Sequence, residues 1–174
     1  MYGTLVPNNG FANFQTVLGK RVDLFPPGTD PTKTNTAYTA ATAPGWKIYH
    51  LHGFPGCTPS TEETDVVVGA LVWPHGTEAD YVATVLEADR LEKFNGVIGG
   101  EGNEYQRIEI TTHLTSGEAV QAWMYECLLD TSSAHQVSHG NWPKYMRENN
   151  LQSVGADWST VHASAKTKEE RRRS

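Results

Sequence analysis

Polar and aromatic side chains that could do chemistry lie on two neighbouring segments with strand-like alternation. Tyr105, Arg107 and Glu109 recur at period two, so a strand through them would carry all three on one face. Trp123 and Tyr125 share a face of the next such segment. Arg107 could meet an anionic ligand or form a buried ion pair that fixes the fold. Tyr125 could line a pocket or serve as a core aromatic residue, and both alternatives stay open at this point.

Several other kinds of site are disfavoured. Seven histidines are present, but neither His50 and His52 nor His135 and His139 stand with Cys, Asp or Glu at a convincing ligand spacing. The glycines of Val97–Gly102 follow a predicted helix and not a strand, which argues against a dinucleotide-binding loop. No Ser or Cys lies in a nucleophile-elbow pattern. We therefore expect no metal site.

The elements that must position these residues are strands first, then one clear helix, then a hairpin. The helix is predicted over Thr77–Phe94 and ends at the turn pair Asn95-Gly96. Its apolar stripe is predicted from Tyr81, Val82, Val85, Leu86, Asp89 and Phe94. Strands are predicted at Tyr2–Val6, Arg21–Phe25, Trp46–Leu51, Val66–Trp73, Tyr105–Leu114 and Ala119–Leu128.

Three further segments have their own signals. Gly53–Pro59 is rich in turn residues, and Val66–Trp73 lacks a polar face, which predicts a strand covered on both sides. Pro143 is expected to begin a short helix that runs through Asn149. Five or six strands with one firm helix predict an α+β domain, with a small closed barrel as one form. We assign residues 1–150 to this domain and residues 151–174 to a C-terminal arm and basic tail.

Length and charge exclude some classes of protein. The chain has 174 residues and a net charge of −6, although its last nine residues hold five basic and two acidic side chains. An acidic body repels phosphate, so we expect no nucleic acid partner there. No apolar run reaches the length of a membrane span, and no secretion signal is visible. Cys57 and Cys127 are therefore predicted to be free thiols in the cytoplasm.

Four short motifs, taken in order, resemble the gamma-glutamylcyclotransferase-like family, which includes the AIG2-like proteins and the gamma-glutamylamine cyclotransferases. Family members show Y-G-[ST]-L, then L-D-x-[FY]-E-G, then Y-x-R, then A-[WF]-x-Y. The resemblance spans residues 2–128 and includes Gly45–Leu51 and Phe54-Pro55-Gly56 between the motifs. The matching pieces are Tyr2-Gly3-Thr4-Leu5, Leu91–Gly96, Tyr105-Gln106-Arg107 and Ala122-Trp123-Met124-Tyr125.

The resemblance implies a fold, a reaction and a set of site residues. The fold would be a small mixed-strand β-barrel flanked by helices. The reaction would be intramolecular acyl transfer, in which the α-amine of a gamma-glutamyl compound attacks its own γ-carbonyl and releases 5-oxoproline and a free amine. No metal or organic cofactor would be needed. The backbone N–H groups of Tyr2, Gly3, Thr4 and Leu5 would bind the developing oxyanion, and the hydroxyl of Tyr125 would lie at the pocket. Only Met1 precedes Tyr2, so either the first strand is very short or the natural chain starts upstream.

The general base is where this sequence departs from the family. Aligning Leu91–Gly96 with L-D-x-[FY]-E-G places Asn95 at the position of the catalytic Glu. An amide cannot accept a proton at neutral pH. Glu92 lies three residues earlier on nearly the same helix face and could supply the base, and Glu101 in the following loop is a second alternative.

Two functions are therefore carried forward. The first is a gamma-glutamylcyclotransferase-like enzyme with Glu92 or a loop Glu as base. The second is a small-molecule binding module that kept the pocket and lost the chemistry because of Asn95. In both, the expected partner is a small gamma-glutamyl ligand, with no membrane and no nucleic acid on the acidic body, and the oligomeric state stays open.

Overall fold

A computed structural model describes residues 38–72 and 77–151. The predictions on Tyr2–Val6, Arg21–Phe25 and the tail lie outside these residues. The strands are β1 (Tyr38–Pro44), β2 (Trp46–Leu51), β3 (Phe54–Pro59), β4 (Val66–Val72), β5 (Tyr105–Leu114), β6 (Ala119–Cys127) and β7 (His135–Gln136). The helices are α1 (Glu78–Leu91) and α2 (Trp142–Glu148).

The larger sheet carries the predicted hairpin. Its strand order is β4-β1-β5-β6. The β5–β6 pairing is antiparallel and places Tyr105 opposite Cys127, Arg107 opposite Tyr125 and Glu109 opposite Trp123. The alternation predicted for both strands is confirmed, because cross-strand partners lie on the same face of a sheet.

The smaller sheet corrects one prediction. Its order is β3-β2-β7, and β3 occupies the segment that we predicted as turn-rich. Pro55 and Pro59 are compatible with a strand here because β3 lies at an edge of this sheet, where a missing N–H leaves no ladder bond unmade. Strand β2 has the predicted bounds. The sequence pattern indicated neither β1 nor the two-residue strand β7.

Strand β4 was predicted to be covered on both faces, and Val67 and Ala70, which lie on opposite faces of the strand, are both buried. Only Val67 and Ala70 of this strand are buried, and its other side chains are intermediate in exposure. An apolar run without polar residues is thus compatible with a partly covered strand at the end of the sheet order.

Two clusters of buried side chains form the core. The first brings α2 against both sheets through Trp142 and Met146, which contact a set that includes Ile48, Val67 and Ile110. The second lies where β2 and β3 approach β5 and β6 and consists of Leu51, Phe54, Tyr105, Cys127 and Leu129. Cys57 and Cys127 are buried and free, as predicted.

The predicted α2 is confirmed, with Asn141 as its N-cap and Pro143 in the first turn. The helix packs on β2 through His50. The hydroxyl of Tyr145 lies 3.1 Å from His50 Nδ1, and the Gly53 N–H donates to His50 Nε2 at 3.1 Å. Because Nε2 accepts a hydrogen bond here, the imidazole is neutral, with its proton on Nδ1.

Helix α1 is shorter than predicted and uses a different face. It ends at Leu91, and its buried side chains include Thr84, Ala88 and Asp89. Three members of the predicted stripe, Tyr81, Val82 and Leu86, are exposed. The buried residues Thr84 and Ala88 lie on a face that the apolar pattern did not indicate.

The α+β class is confirmed, as a curled antiparallel half-barrel sheet with two helices in the described part of the chain. Every strand pair there is antiparallel, and the parallel contact is an isolated bridge between Val68 and Asn141. No helix within residues 38–72 and 77–151 is long and apolar enough to cross a membrane. The domain boundary at residue 150 and the cytoplasmic location stay predictions.

Candidate active site

Glu92 lies at the C-terminal end of α1, just before a tight left-handed turn. The Glu92 N–H still donates to the Ala88 carbonyl at 3.0 Å, in the helical pattern. The Phe94 N–H then donates to the carbonyl of Asp89 at 2.9 Å, and Lys93 has φ of +51°. This is the Schellman arrangement, in which the residue with positive φ ends the helix. The turn fixes where the last helical side chains point.

Glu92 is half-buried and lies near two tyrosines of the hairpin. Burial raises the pKa of Glu92 to about 8. Burial also raises the pKa of Tyr105 and of Tyr125, and the charge of Glu92 contributes to both shifts. The three groups are therefore close enough to interact electrostatically. A carboxyl group that ionises near neutral pH is suited to accept and return a proton.

A partly buried cluster of polar side chains lies beside Glu92. The Tyr125 hydroxyl donates to Asp89 Oδ1 at 2.7 Å, and Arg107 Nε lies 3.0 Å from the same oxygen. Arg107 thus forms the ion pair that was one of its two predicted roles. Its guanidinium group lies 5.0 Å from the centre of the Trp123 ring and 6.0 Å from that of Phe94. The cluster fixes the hydroxyl of Tyr125 next to the end of α1.

The second tyrosine joins the two sheets behind Glu92. The Tyr105 hydroxyl donates to the Pro55 carbonyl of β3 at 2.9 Å. Cys127 lies opposite Tyr105 in the register and packs against Gly56, where an added Cβ would lie 2.8 Å from Cys127 Sγ. The absence of a side chain at Gly56 therefore allows β3 to approach β6 closely.

Asn95 lies in the loop that follows the turn, and its side chain shapes that loop. It is exposed, its Oδ1 accepts from the Val97 N–H at 3.0 Å, and its Nδ2 donates to the Glu101 carbonyl at 3.3 Å. Buried Asn103 completes the loop by accepting from the Asn95 N–H at 2.9 Å. Glu101, the other predicted alternative for the base, is exposed in the same loop.

The remaining predicted site residues, Tyr2, Gly3, Thr4 and Leu5, lie outside the described residues. Within residues 38–72 and 77–151, no group of three His, Cys, Asp or Glu side chains could hold a metal ion. His50 and His135 are opposite one another in the pairing of β2 with β7, and the ring of His135 stacks on Tyr145.

Sequence reasoning missed the role of Asp89, which was assigned only to the helix stripe. A signal was present, since Asp89 stands three residues before Glu92 and an acidic residue on a buried face requires a partner. The partners themselves, on β5 and β6, follow from the tertiary fold.

Comparison with known proteins identifies the class. A family model described as gamma-glutamyl cyclotransferase, AIG2-like, matches residues 1–144. The chain therefore belongs to this family, and the resemblance predicted from its motifs is confirmed. None of the curated proteins matches the chain.

Solved structures are similar to this chain at low sequence identity. A protein from Arabidopsis thaliana is 17% identical, with a TM-score of 0.50, over 87% of this chain and 83% of its own. An uncharacterized protein from Pyrococcus horikoshii is 13% identical, with a TM-score of 0.47, over 86% and 92% of the two chains. A structure named gamma-glutamyl cyclotransferase is 15% identical, with a TM-score of 0.42, over 99% and 94%.

Proposed function

We propose that this protein is an acyl transferase that releases 5-oxoproline and a free amine from a gamma-glutamyl amine or peptide, with Glu92 as the proton acceptor. The observation that carries the proposal is the half-buried Glu92 at the end of α1, next to the Asp89–Tyr125–Arg107 cluster, with its pKa raised to about 8 by desolvation. Family membership supplies the reaction class. The substrate and the catalytic residues are our proposal.

The backbone supports a register of the family motif different from the one that sequence alone favoured. Read three residues earlier, the segment Ala88–Lys93 places Asp89 at the Asp of L-D-x-[FY]-E-G, Glu92 at the Glu and Lys93 at the Gly. The φ of +51° at Lys93 is the left-handed conformation that glycine favours. Ala88 and Leu91 depart from the motif in this register. The proposal therefore gives the proton transfer to Glu92 and leaves Asn95 in the loop.

The proposed reaction moves one proton through Glu92 and back. The ionised carboxylate accepts a proton from the substrate's α-ammonium group, and the freed amine attacks the γ-carbonyl carbon to form the new C–N bond. The protonated Glu92 then donates to the leaving nitrogen as the old C–N bond breaks. The attacking nitrogen also loses a second proton, which the released amine takes up, so that a neutral lactam and an ammonium ion result. A base whose pKa lies near the working pH serves both steps.

Tyr125 has a definite hydrogen-bonding role in this scheme. Its hydroxyl group donates to Asp89, and a hydroxyl oxygen can accept hydrogen bonds while its proton is donated. The substrate groups that can donate are the α-ammonium and the amide N–H, and Tyr125 would orient one of them toward Glu92. The oxyanion is assigned to the backbone of Tyr2–Leu5 on the basis of the family resemblance.

Turnover of a substrate panel tests the proposal. The purified protein is incubated with gamma-glutamyl amines and gamma-glutamyl peptides, and 5-oxoproline is measured by mass spectrometry. We expect product from at least one compound and a loss of about 10²- to 10⁴-fold in rate for Glu92→Gln. Glu101→Gln, in the exposed loop, is the matched control and should keep the wild-type rate. A fully active E92Q would refute the role of Glu92.

The binding-module alternative makes the opposite prediction. It depends on Asn95 standing at the position of the base, so Asn95→Glu should create or greatly raise activity. In our register, N95E breaks the hydrogen bonds that shape the loop and gains no activity. No product from any compound, together with strong gain in N95E, would favour the binding module.

A further inference from the structure

Lys93 occupies a backbone position where a side chain is unfavourable. Its φ of +51° places it in the left-handed region, immediately after the proposed base. Glycine is the usual residue at this point of a Schellman turn because a Cβ there is strained. An interaction of the lysine side chain would offset this strain and favour the turn over other conformations.

The structure contains such an interaction. Lys93 Nζ lies 2.6 Å from Glu104 Oε1, and the side chains are 37% and 13% exposed. Glu104 directly precedes β5, and its carbonyl accepts from the Leu128 N–H at the end of β6 at 2.9 Å. The ion pair thus ties the turn after Glu92 to the same end of the hairpin that carries Tyr105 and Tyr125.

We propose that Lys93 is a positioning residue, whose ion pair with Glu104 holds the left-handed turn that keeps the Glu92 carboxyl group near Tyr105 and Tyr125. The inference rests on the proposed function, in which Glu92 is the base. In this chain a lysine held by an ion pair stands where glycine is usual. Lys93 itself takes no part in the proton transfer.

Loss of the Lys93 charge and relaxation of the turn would shift the pKa of Glu92 in opposite directions. Loss of a nearby positive charge raises the pKa of a carboxyl group. Relaxation of the turn would instead expose Glu92 to water and lower its pKa toward the ordinary 4.5. Lys93→Ala removes the ion pair and keeps the Cβ strain, whereas Lys93→Gly removes both. Both variants lose the positive charge of Lys93. They differ because only K93A keeps the Cβ that strains the turn.

The experiment measures the pKa of Glu92 by carbon-detected NMR titration of its carboxyl group, assigned with E92Q. We expect K93A to lower this pKa by about one unit or more, and K93G and Lys93→Arg to keep it close to the wild-type value. An unchanged or raised pKa in K93A would overturn the proposal. An equal fall of the pKa in K93G would also overturn it, because glycine adopts the left-handed conformation without strain and needs no ion pair to hold the turn.

A double-mutant cycle with Glu104 separates the brace from direct electrostatics. Glu104→Gln should lower the pKa of Glu92 in the wild-type background and leave it unchanged in the K93G background. An equal effect in both backgrounds would show a charge effect only and would overturn the proposal. If K93A does not fold, the effect of E104Q in the wild-type and K93G backgrounds gives the same decision.

The readout needs no turnover. If the pKa values follow the expected pattern while no gamma-glutamyl compound is converted, the proposed function fails and the bracing of Glu92 by Lys93 stands. If turnover depends on Glu92 but the pKa of Glu92 does not change when the Lys93–Glu104 ion pair is removed, the proposed function stands and this inference fails.

Discussion

Replacing Glu92 with Gln should make the protein more stable at alkaline pH while it abolishes activity. In the unfolded chain the carboxyl group ionises near 4.5, and in the folded protein burial raises its pKa to about 8. Between these values the folded state holds a proton that the unfolded state has released, so the free energy of unfolding falls as the pH rises. Glutamine is neutral at every pH and does not contribute to this loss.

The magnitude follows from the separation of the two pKa values. From 4.5 to about 8, at about 1.36 kcal/mol per pH unit, the loss of stability at pH 9 reaches at most about 5 kcal/mol. Local rearrangement that brings water to the ionised carboxylate reduces it, so a gain on the order of 2 kcal/mol or more for E92Q at pH 9 relative to pH 5 is the expected result.

Urea unfolding at pH 5 and at pH 9 measures this difference for wild type and E92Q. Glu101→Gln is the matched control, because it makes the same chemical change at an exposed loop position and should show no pH-dependent gain. If the free energies of unfolding of E92Q and wild type differ by the same amount at pH 5 and pH 9, the reasoning is refuted. In that case Glu92 ionises as an ordinary solvated carboxyl group, and the argument for a poised base loses its basis.

Three further perturbations test the surroundings of the site. Tyr125→Phe removes the hydrogen bond to ionised Asp89 and should lower the free energy of unfolding by about 1.5–3 kcal/mol in urea titrations; a change near zero would contradict the observed contact. Burial lowers the pKa of His50, so its stabilising contribution is complete above the ordinary value of 6.5 and is lost as the pH falls through the folded value. His50→Gln should therefore be less stable than wild type at pH 7, with a gap that narrows by pH 5 in thermal melts, and a constant gap would argue against this. Gly56→Ala places a Cβ 2.8 Å from Cys127 Sγ and should destabilise the protein by about 1–3 kcal/mol in urea; wild-type stability would show that β3 can move away.

The parts of the fold that followed from the sequence are those set by local geometry. The alternation of β5 and β6 follows from the pleat of a strand, which is why Arg107 and Tyr125 were correctly placed on one face. Helix α2 was readable because Pro143 suits a first turn. Strand β3 was not readable, since Pro and Gly indicate turns unless the edge position of a strand is known.

The site could be predicted only in part, for a related reason. Glu92 was identified as a candidate, but the turn pair Asn95-Gly96 is a stronger local signal for a helix end than Glu92-Lys93. The actual end of α1 is set by tertiary contacts, namely the burial of Phe94 and the ion pair from Lys93 to Glu104. Neither can be seen in a window of sequence, and the register that we propose for the motif therefore differs by three residues from the one that the sequence favoured.

The last turn of α1 carries two carboxyl groups in two different environments, and this difference supports the division of roles. Asp89 lies against the guanidinium group of Arg107 and accepts from Tyr125, so its charge is compensated and its oxygen is engaged. Glu92, three residues later, has its pKa raised by burial alone. A carboxylate held by a cation is suited to orient its neighbours, whereas a carboxyl group that is buried without such compensation is suited to exchange a proton near neutral pH. The same helical turn thus provides Asp89 as a fixed anchor and Glu92 as a titratable group. The ion pair that we propose as a brace, from Lys93 to Glu104, acts on Glu92.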